Sequence, residues 1–310
     1  MAKKFRKGLL LAKIQPTAGT GASPAAGTDA ILMRNVTVTP LVVEYAERDL
    51  IRPYLGNPGQ IPVSKHQQIE FEVELAGAGT AGDAPAWGVL IRGCAFAETI
   101  TAGTDVVYNP ITDSHEMVTL HYFMDGILHK MIDARGTVNF DVTSKGIPFM
   151  RYRFIGTMEP ITDAAMPSGV DYDKFIKVIG VNKSNTPTWS IGAYTGCLQS
   201  LTVDMANQLV WRTLIGCEGA VISDRSPTGN MVIELPTIAQ LNWPTLVGNA
   251  TDQAIVLTHG QTAGNIIEIS IAAAQITNPT YSEQDGIAML NLGLNLQPKD
   301  GNDEIEITVK

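Results

Sequence analysis

Between Gln68 and Leu75 the chain alternates without a break. Ile69, Phe71, Val73 and Leu75 fall on one side, and Gln68, Glu70, Glu72 and Glu74 fall on the other. A period of two marks an extended strand with one buried and one wet face. It predicts antiparallel pairing, because strands of parallel sheets are apolar on both faces. The pattern then recurs. Asn35-Val36-Thr37-Val38 opens a stretch that ends on Glu72-Val73-Glu74-Leu75, and Ser200-Leu201-Thr202-Val203 opens another that ends on Val232-Ile233-Glu234-Leu235. Arg48 and Arg52 accompany the first stretch, Arg212 and Arg225 the second, and each is followed by a Pro/Ala segment with a tryptophan and then by more strands. The likeness is one of pattern, with little identity. It predicts two copies of one β-rich unit, and a chain carrying two copies can build a ring from half the number of subunits.

At 310 residues the chain has room for two units of about 150 residues each. Hydrophobic content of 45% against 17% charged residues is enough for ordinary cores and argues against disorder. The net charge of −9 leaves no basic footprint for gripping nucleic acid. No apolar run approaches the roughly 20 residues of a membrane-spanning helix. Lys3-Lys4-Phe5-Arg6-Lys7 followed by Leu9-Leu10-Leu11-Ala12 resembles the opening of a signal peptide, but Lys13 cuts the apolar run short, so secretion is not the expectation. Cys94, Cys197 and Cys217 are odd in number and far apart, which predicts reduced, mostly buried thiols in a protein made in the cytoplasm.

Pattern divides the chain into a flexible arm over 1–30, a first domain over 31–158, a linker over 159–175 and a second domain over 176–310. The arm is assigned because Pro16 to Asp29 is nearly all Gly, Ala, Thr, Pro and Ser. Strand is expected over Ile31 to Tyr45, and Asn57-Pro58-Gly59 marks a turn inside a long loop from Arg52 to His66. Trp87, Leu90, Ile91 and Cys94 are spaced i, i+3, i+4, i+7, which predicts a helix from about Ala84 to Ala97. Later strands start at Met117, Thr137 and Pro148, and Glu304, Glu306 and Thr308 alternate with Ile305, Ile307 and Val309 near the end. The expected class is mainly β, or α+β, with one helix per half.

Three signals invite chemistry. Gly77-Ala78-Gly79-Thr80-Ala81-Gly82 matches the dinucleotide-binding glycine pattern between a strand and a helix. The preceding strand carries three carboxylates on one face, whereas a central parallel strand is apolar on both, so a flexible connector is the better reading. His115, His121 and His129 have no cysteine or carboxylate at zinc-type spacing, and they are expected at a surface or interface. Neither G-x-S-x-G nor H-E-x-x-H occurs, and no catalytic group, cofactor or metal site is assigned. The stripe Glu70, Glu72 and Glu74 is either a solvated face or the lining of something that must repel anions; Glu234, Glu304 and Glu306 add to the second reading.

Leu41-Val42-Val43-Glu44-Tyr45, Ile69 to Gly77, Asp125-Gly126-Ile127-Leu128-His129-Lys130, Ala134-Arg135-Gly136-Thr137-Val138 and Phe154-Ile155-Gly156 together resemble major tail tube proteins of long-tailed, non-contractile bacteriophages. Pro85 to Cys94 sits where that family places its single helix. The resemblance covers the first half well and the second by pattern. It implies two tandem β-sandwich or open-barrel domains, each with a flanking α-helix. Such domains associate edge to edge so that their inner sheets form a cylinder, and stacked rings conduct double-stranded DNA. With two copies per chain, a trimeric ring of pseudo-sixfold symmetry is expected. The implied partners are the tail tip, tape-measure and tail terminator proteins, with DNA passing without specific binding and no membrane involved. The place is the virion tail, assembled in the host bacterial cytoplasm. Residues 1–30 and about 52–66 are expected between stacked rings. Glu70, Glu72, Glu74, Glu234, Glu304 and Glu306 are the candidate lumen-facing residues. A contractile-tail tube, a capsid decoration or a secreted β-sandwich binding module remain as alternatives.

Overall fold

The computed structural model describes residues 2–310. The first half comprises β1 (Gly8–Gln15), β2 (Ala30–Ile31), β3 (Arg34–Glu47), β4 (Gln60–Glu74), α1 (Gly88–Arg92), β5 (Phe96–Thr101), β6 (Asp105–Pro110), β7 (Met117–Met124), β8 (Ile127–Thr143), β9 (Phe149–Met158) and β10 (Thr162–Asp163). The second comprises β11 (Thr188–Ile191), β12 (Leu198–Asp204), β13 (Asn207–Leu214), β14 (Cys217–Arg225), β15 (Thr228–Glu234), α2 (Trp243–Gly248), β16 (Gln253–His259), β17 (Ile267–Gln284), β18 (Ile287–Leu296) and β19 (Glu306–Val309). The fold is mainly β, with every strand pair antiparallel and seventeen strands linked into one continuous hydrogen-bonded system.

The two halves repeat one strand order. In the first, β3 pairs with β4, β4 with β9, β9 with β8, β8 with β7 and β7 with β1. In the second, β12 pairs with β15, β15 with β18, β18 with β17, β17 with β16 and β16 with β11. A short helix follows the long hairpin in each half. The register agrees as well: Val73 faces Met150 where Ile233 faces Leu290, and Glu74 faces Phe149 where Glu234 faces Met289. The hairpin β3–β4 is continuous, whereas its counterpart breaks into β12–β15 and a separate two-stranded β13–β14 extension.

Long strands carry this architecture because they can change neighbours. β8 and β17 each contain a bulge, at Asp133 (φ 52°) and Asn278 (φ 44°). Asp and Asn tolerate the left-handed region better than most residues, and bulges bend strands. Before its bulge β8 pairs with β7, and after it with β12; along most of its other edge it pairs with β9. The hairpins β7–β8 and β17–β18 turn on Asp125-Gly126 and Asp285-Gly286, both residues of each having positive φ, the two-residue turn that matches strand twist. The buried face of the sheet and α1 enclose one core that runs through both halves, from Phe71, Trp87, Tyr108 and Tyr152 to Leu257, Ile271 and Leu292.

Four expectations are corrected. Residues 8–15 are not part of a loose arm: β1 pairs along its length with β7 and is buried on both faces. Leu10 and Ala12 join the main core, while Leu9 and Leu11 meet Ala30, Phe123 and Leu128 on the other side. The supposed linker supplies Ala164, Met166, Val170 and Tyr172 to cover that second cluster, and β10 pairs with β8. The helix is five residues long instead of the expected span from Ala84 to Ala97. Its face was rightly predicted, since Trp87, Leu90, Ile91 and Cys94 are all buried, but Ala95 has φ 64° and β5 starts at Phe96. Cys94 alone of the three thiols is buried; Cys197 and Cys217 are exposed.

Candidate functional site

The pairing chain β3-β4-β9-β8-β12-β15-β18-β17 forms a single wall across both halves. Directly opposed residues of an antiparallel pair share a face, so each row can be read across it. Val73, Met150, Phe140, Val203, Gly229, Leu294 and Ile276 form one row, apolar throughout. The neighbouring row is Glu72, Arg151, Asn139, Asp204, Thr228, Asn295 and Gln275, polar throughout. One face of the wall therefore closes the core. The other presents Asn, Thr, Ser and charged groups.

Four of the six glutamates selected from sequence lie on this polar face: Glu70, Glu72 and Glu74 on β4, and Glu234 at the end of β15. They are not a bare anionic stripe. The Glu70 carboxylate stands 3.7 Å from Arg153. Glu72 is 5% exposed and accepts hydrogen bonds from Arg34 (3.1 Å), Asn35 (2.7 Å) and Arg151 (2.8 Å). Burial alone would raise its pKa, but hydrogen bonds from Arg151 and Asn35 and the charges of both arginines outweigh that and hold it below the usual carboxylate range. The arginines were missed from sequence because Arg151 comes 79 residues after Glu72 and Arg153 comes 83 after Glu70; only the register of β4 on β9 brings them opposite. Glu304 and Glu306 are not on the wall. Glu304 is 5% exposed and paired with Arg225 at 3.0 Å, and Glu306 lies on β19, which joins β17 to β6.

The wall has an internal junction and two free margins. β8 and β12 join the halves through five residue pairs, from Thr143–Ser200 to Asn139–Asp204. Asn207 clamps the junction by donating to the carbonyls of Cys94 and Gly136. At one margin β3 pairs with β4 alone; at the other, the stretch of β17 beyond its bulge pairs with β18 alone. The long hairpins also end in exposed apolar tips, with Ile51, Tyr54 and Leu55 between β3 and β4, and with Leu214 at the end of β13 and Ile215 in the turn to β14.

The other signals resolve as structure. Gly77 and Gly79 donate their N–H groups to Asn265 Oδ1 and to the Gly264 carbonyl, and a Cβ on Gly77 would strike that carbonyl. The glycine run is a clasp between the halves, tighter than the flexible connector expected, and these amides are not offered to a phosphate. His129 is buried and His121 half-buried within the subunit, so neither stands on an open surface. Burial, with Lys130 adding to it, pushes the His121 pKa down to about 4. Among the described residues no cluster of three or more His, Cys, Asp or Glu could hold a metal ion, and no helix is long and apolar enough to cross a membrane.

A protein-family model described as phage tail tube protein matches residues 6–297. The chain belongs to that family. No curated protein matches it. As a phage tail tube protein it is a structural component of the virion tail that assembles with itself into a tube and meets other tail proteins. The match reaches from before β1 to beyond β18, so it takes in both halves of the wall.

Proposed function

We propose that three copies of this chain close into a ring of six repeats, that rings stack into the tube, and that the polar wall face lines a channel through which double-stranded DNA passes. The observation that carries this reading is the β8–β12 junction, which already fuses two copies of one strand order into a single wall. The two repeats correspond to about 31–158, with β1 added, and 176–310. Closing a ring removes the free strand edges that otherwise template aggregation. DNA carries a charge every ~1.7 Å of axis, and a basic lining would hold it. Here Arg34, Arg151 and Arg153 are offset by Glu70, Glu72, Glu74, Asp141, Asp204 and Glu234, and the second repeat contributes mainly uncharged Asn and Thr. Glu70, Glu74 and Glu234 are the lumen-facing acids under this reading; Glu72 is neutralised by its arginines.

The exposed tips at Ile51–Leu55 and Leu214–Ile215 serve as contacts between stacked rings, a role that β1 is too deeply buried to share. The reading makes the chain a structural part with no catalytic role. Its assembly takes place in the host cytoplasm, where tail tip, tape-measure and terminator proteins define the ends and the bore. Electron microscopy of concentrated protein, with mass photometry of the smallest closed species, tests it. Rings or tubes with three chains per ring are expected. Monodisperse monomer at high concentration, or six chains per ring, would overturn it.

A further inference from the structure

We infer that the seam between neighbouring chains is the β8–β12 junction repeated: β3 of one chain adds antiparallel to the stretch of β17 beyond its bulge in the next. This inference rests on the ring reading and specifies its interface. The equivalence follows from the repeat. β12 corresponds to β3, because each is the outer strand of the long hairpin, paired with β15 and β4 respectively. β17 corresponds to β8, because each forms a hairpin with the strand that pairs with that long hairpin. Inside the chain β12 lies between β15 and β8, and β8 beyond its bulge lies between β9 and β12. β3 and the end of β17 each have one such neighbour and lack the other. Each free margin is thus missing the partner that its counterpart holds, and a second copy supplies both at once in a head-to-tail contact that can close into a ring.

The register transfers residue by residue. Thr202 and Val203 face Asn230 and Gly229; Thr37 and Val38 face Glu70 and Ile69, the equivalent places. Asp141 and Phe140 face Phe149 and Met150; Ser282 and Tyr281 face Met289 and Leu290. Internally Thr202 pairs with Asp141 and Val203 with Phe140. Between chains, therefore, Thr37 pairs with Ser282, Val38 with Tyr281 and Thr39 with Thr280. Two independent features agree. Phe140 and Val203 are each 1% exposed at the closed junction, whereas Tyr281, on the same face as Phe140, is 65% exposed and Val38 is only half-buried. Moreover, the residues beyond Thr39 and Thr280 in this register are Pro40 and Pro279. Neither has an N–H to donate, so both strands stop pairing at the same end.

Cysteine cross-linking tests the seam. In a background with Cys197→Ser and Cys217→Ser, the pair Thr37→Cys with Ser282→Cys is compared with the displaced pair Thr37→Cys with Thr280→Cys, about 7 Å off along the strand. Thr37, Ser282 and Thr280 are all exposed and on the polar face, so circular dichroism should match the parent. Mild oxidation of assembled protein should give a covalent ladder for the first pair that stops at three chains, with at least tenfold less product for the second. Rings visible by microscopy that give no ladder, or that cross-link better through the displaced pair, would overturn the seam and leave the ring standing. A ladder running to six chains would keep the seam and overturn the three-chain ring. Absence of any ring under conditions where the parent is concentrated would overturn both.

Discussion

Replacing Glu72 separates a face that is merely wet from one whose charges are built into the fold. On sequence alone Glu70, Glu72 and Glu74 are equivalent, and exposed positions usually tolerate a change of charge within about 0.5 kcal/mol. Structurally they differ. Removing one partner of a buried ion pair costs roughly 3–5 kcal/mol. The side chains of Arg34 and Arg151 are 37% and 59% exposed, so they rehydrate when the carboxylate is lost. That reduces the expected cost of Glu72→Gln to about 1–2 kcal/mol, and Glu72→Lys, which sets a third cation beside two, to about 2–3 kcal/mol. Glu70→Lys should stay within about 0.5 kcal/mol, because its partner is 3.7 Å away and both side chains are more than 40% exposed. Urea unfolding followed by tryptophan fluorescence, at concentrations low enough to keep the subunit unassembled, measures all three. The pH dependence gives a second readout. The folded-state pKa of Glu72 is depressed, so its contribution is fully present above the ordinary value of 4.5 and is lost as pH falls through the folded value. The gap between parent and Glu72→Gln should therefore be constant near neutrality and narrow only below about pH 4.5. Equal stabilities for Glu70→Lys and Glu72→Lys, or a gap that closes already at pH 6, would refute the reasoning.

Deleting residues 1–28 should abolish soluble folded protein, since it removes β1 from between two apolar layers; the milder Leu10→Ala should lower stability by about 2–5 kcal/mol in the same urea assay. Cys197 and Cys217 should react with a thiol reagent in the unassembled native subunit, whereas Cys94, buried and with its pKa raised by that burial, should react only on unfolding; mass spectrometry of labelled peptides counts the sites.

Local periodicity made the strands legible and left their neighbours hidden. The alternation of Gln68 to Leu75 appears in burial as predicted on its apolar side, and the recurrence at Leu235 marks the counterpart strand in the second half. Fold class followed from such patterns; the family came from the resemblance of particular segments, such as Ile69 to Gly77 and Asp125 to Lys130, to tail tube proteins. β1 was missed because a strand buried on both faces has no alternation: Leu9-Leu10-Leu11-Ala12 reads as a short apolar run, and much of what covers it, Phe123 and Leu128 included, lies more than a hundred residues away. The helix was overextended because Trp87, Leu90, Ile91 and Cys94 share a face in one turn of helix and a following turn as readily as in a long helix. At the wall, the carboxylates were visible but their arginines were not, since Glu72 meets Arg151 only through register. The alternation expected from Glu304 onward holds only in part: β19 starts at Glu306, and Glu304 lies just before it, drawn into the interior by Arg225.

Joining two repeats in one chain makes two kinds of seam, and the residues differ accordingly. The internal seam forms as the chain folds and never meets a competitor, so it can be built from core side chains: Phe140, Val142, Leu201 and Val203 are all at most 2% exposed. The proposed seam between chains must stay open in solution until a ring forms. A flat apolar edge left open would pair with any strand available. Its residues suit that constraint. Tyr281 and Glu283 stand where the internal seam has Phe140 and Val142, and Pro40 and Pro279 bound the only stretch of ladder that can form. The bulge at Asn278 twists the strand immediately before it. The same strand order thus serves as an apolar weld inside the subunit and as a short, charge-guarded, proline-bounded edge at its ends. That difference is what a subunit needs if it is to fold alone and assemble in one register.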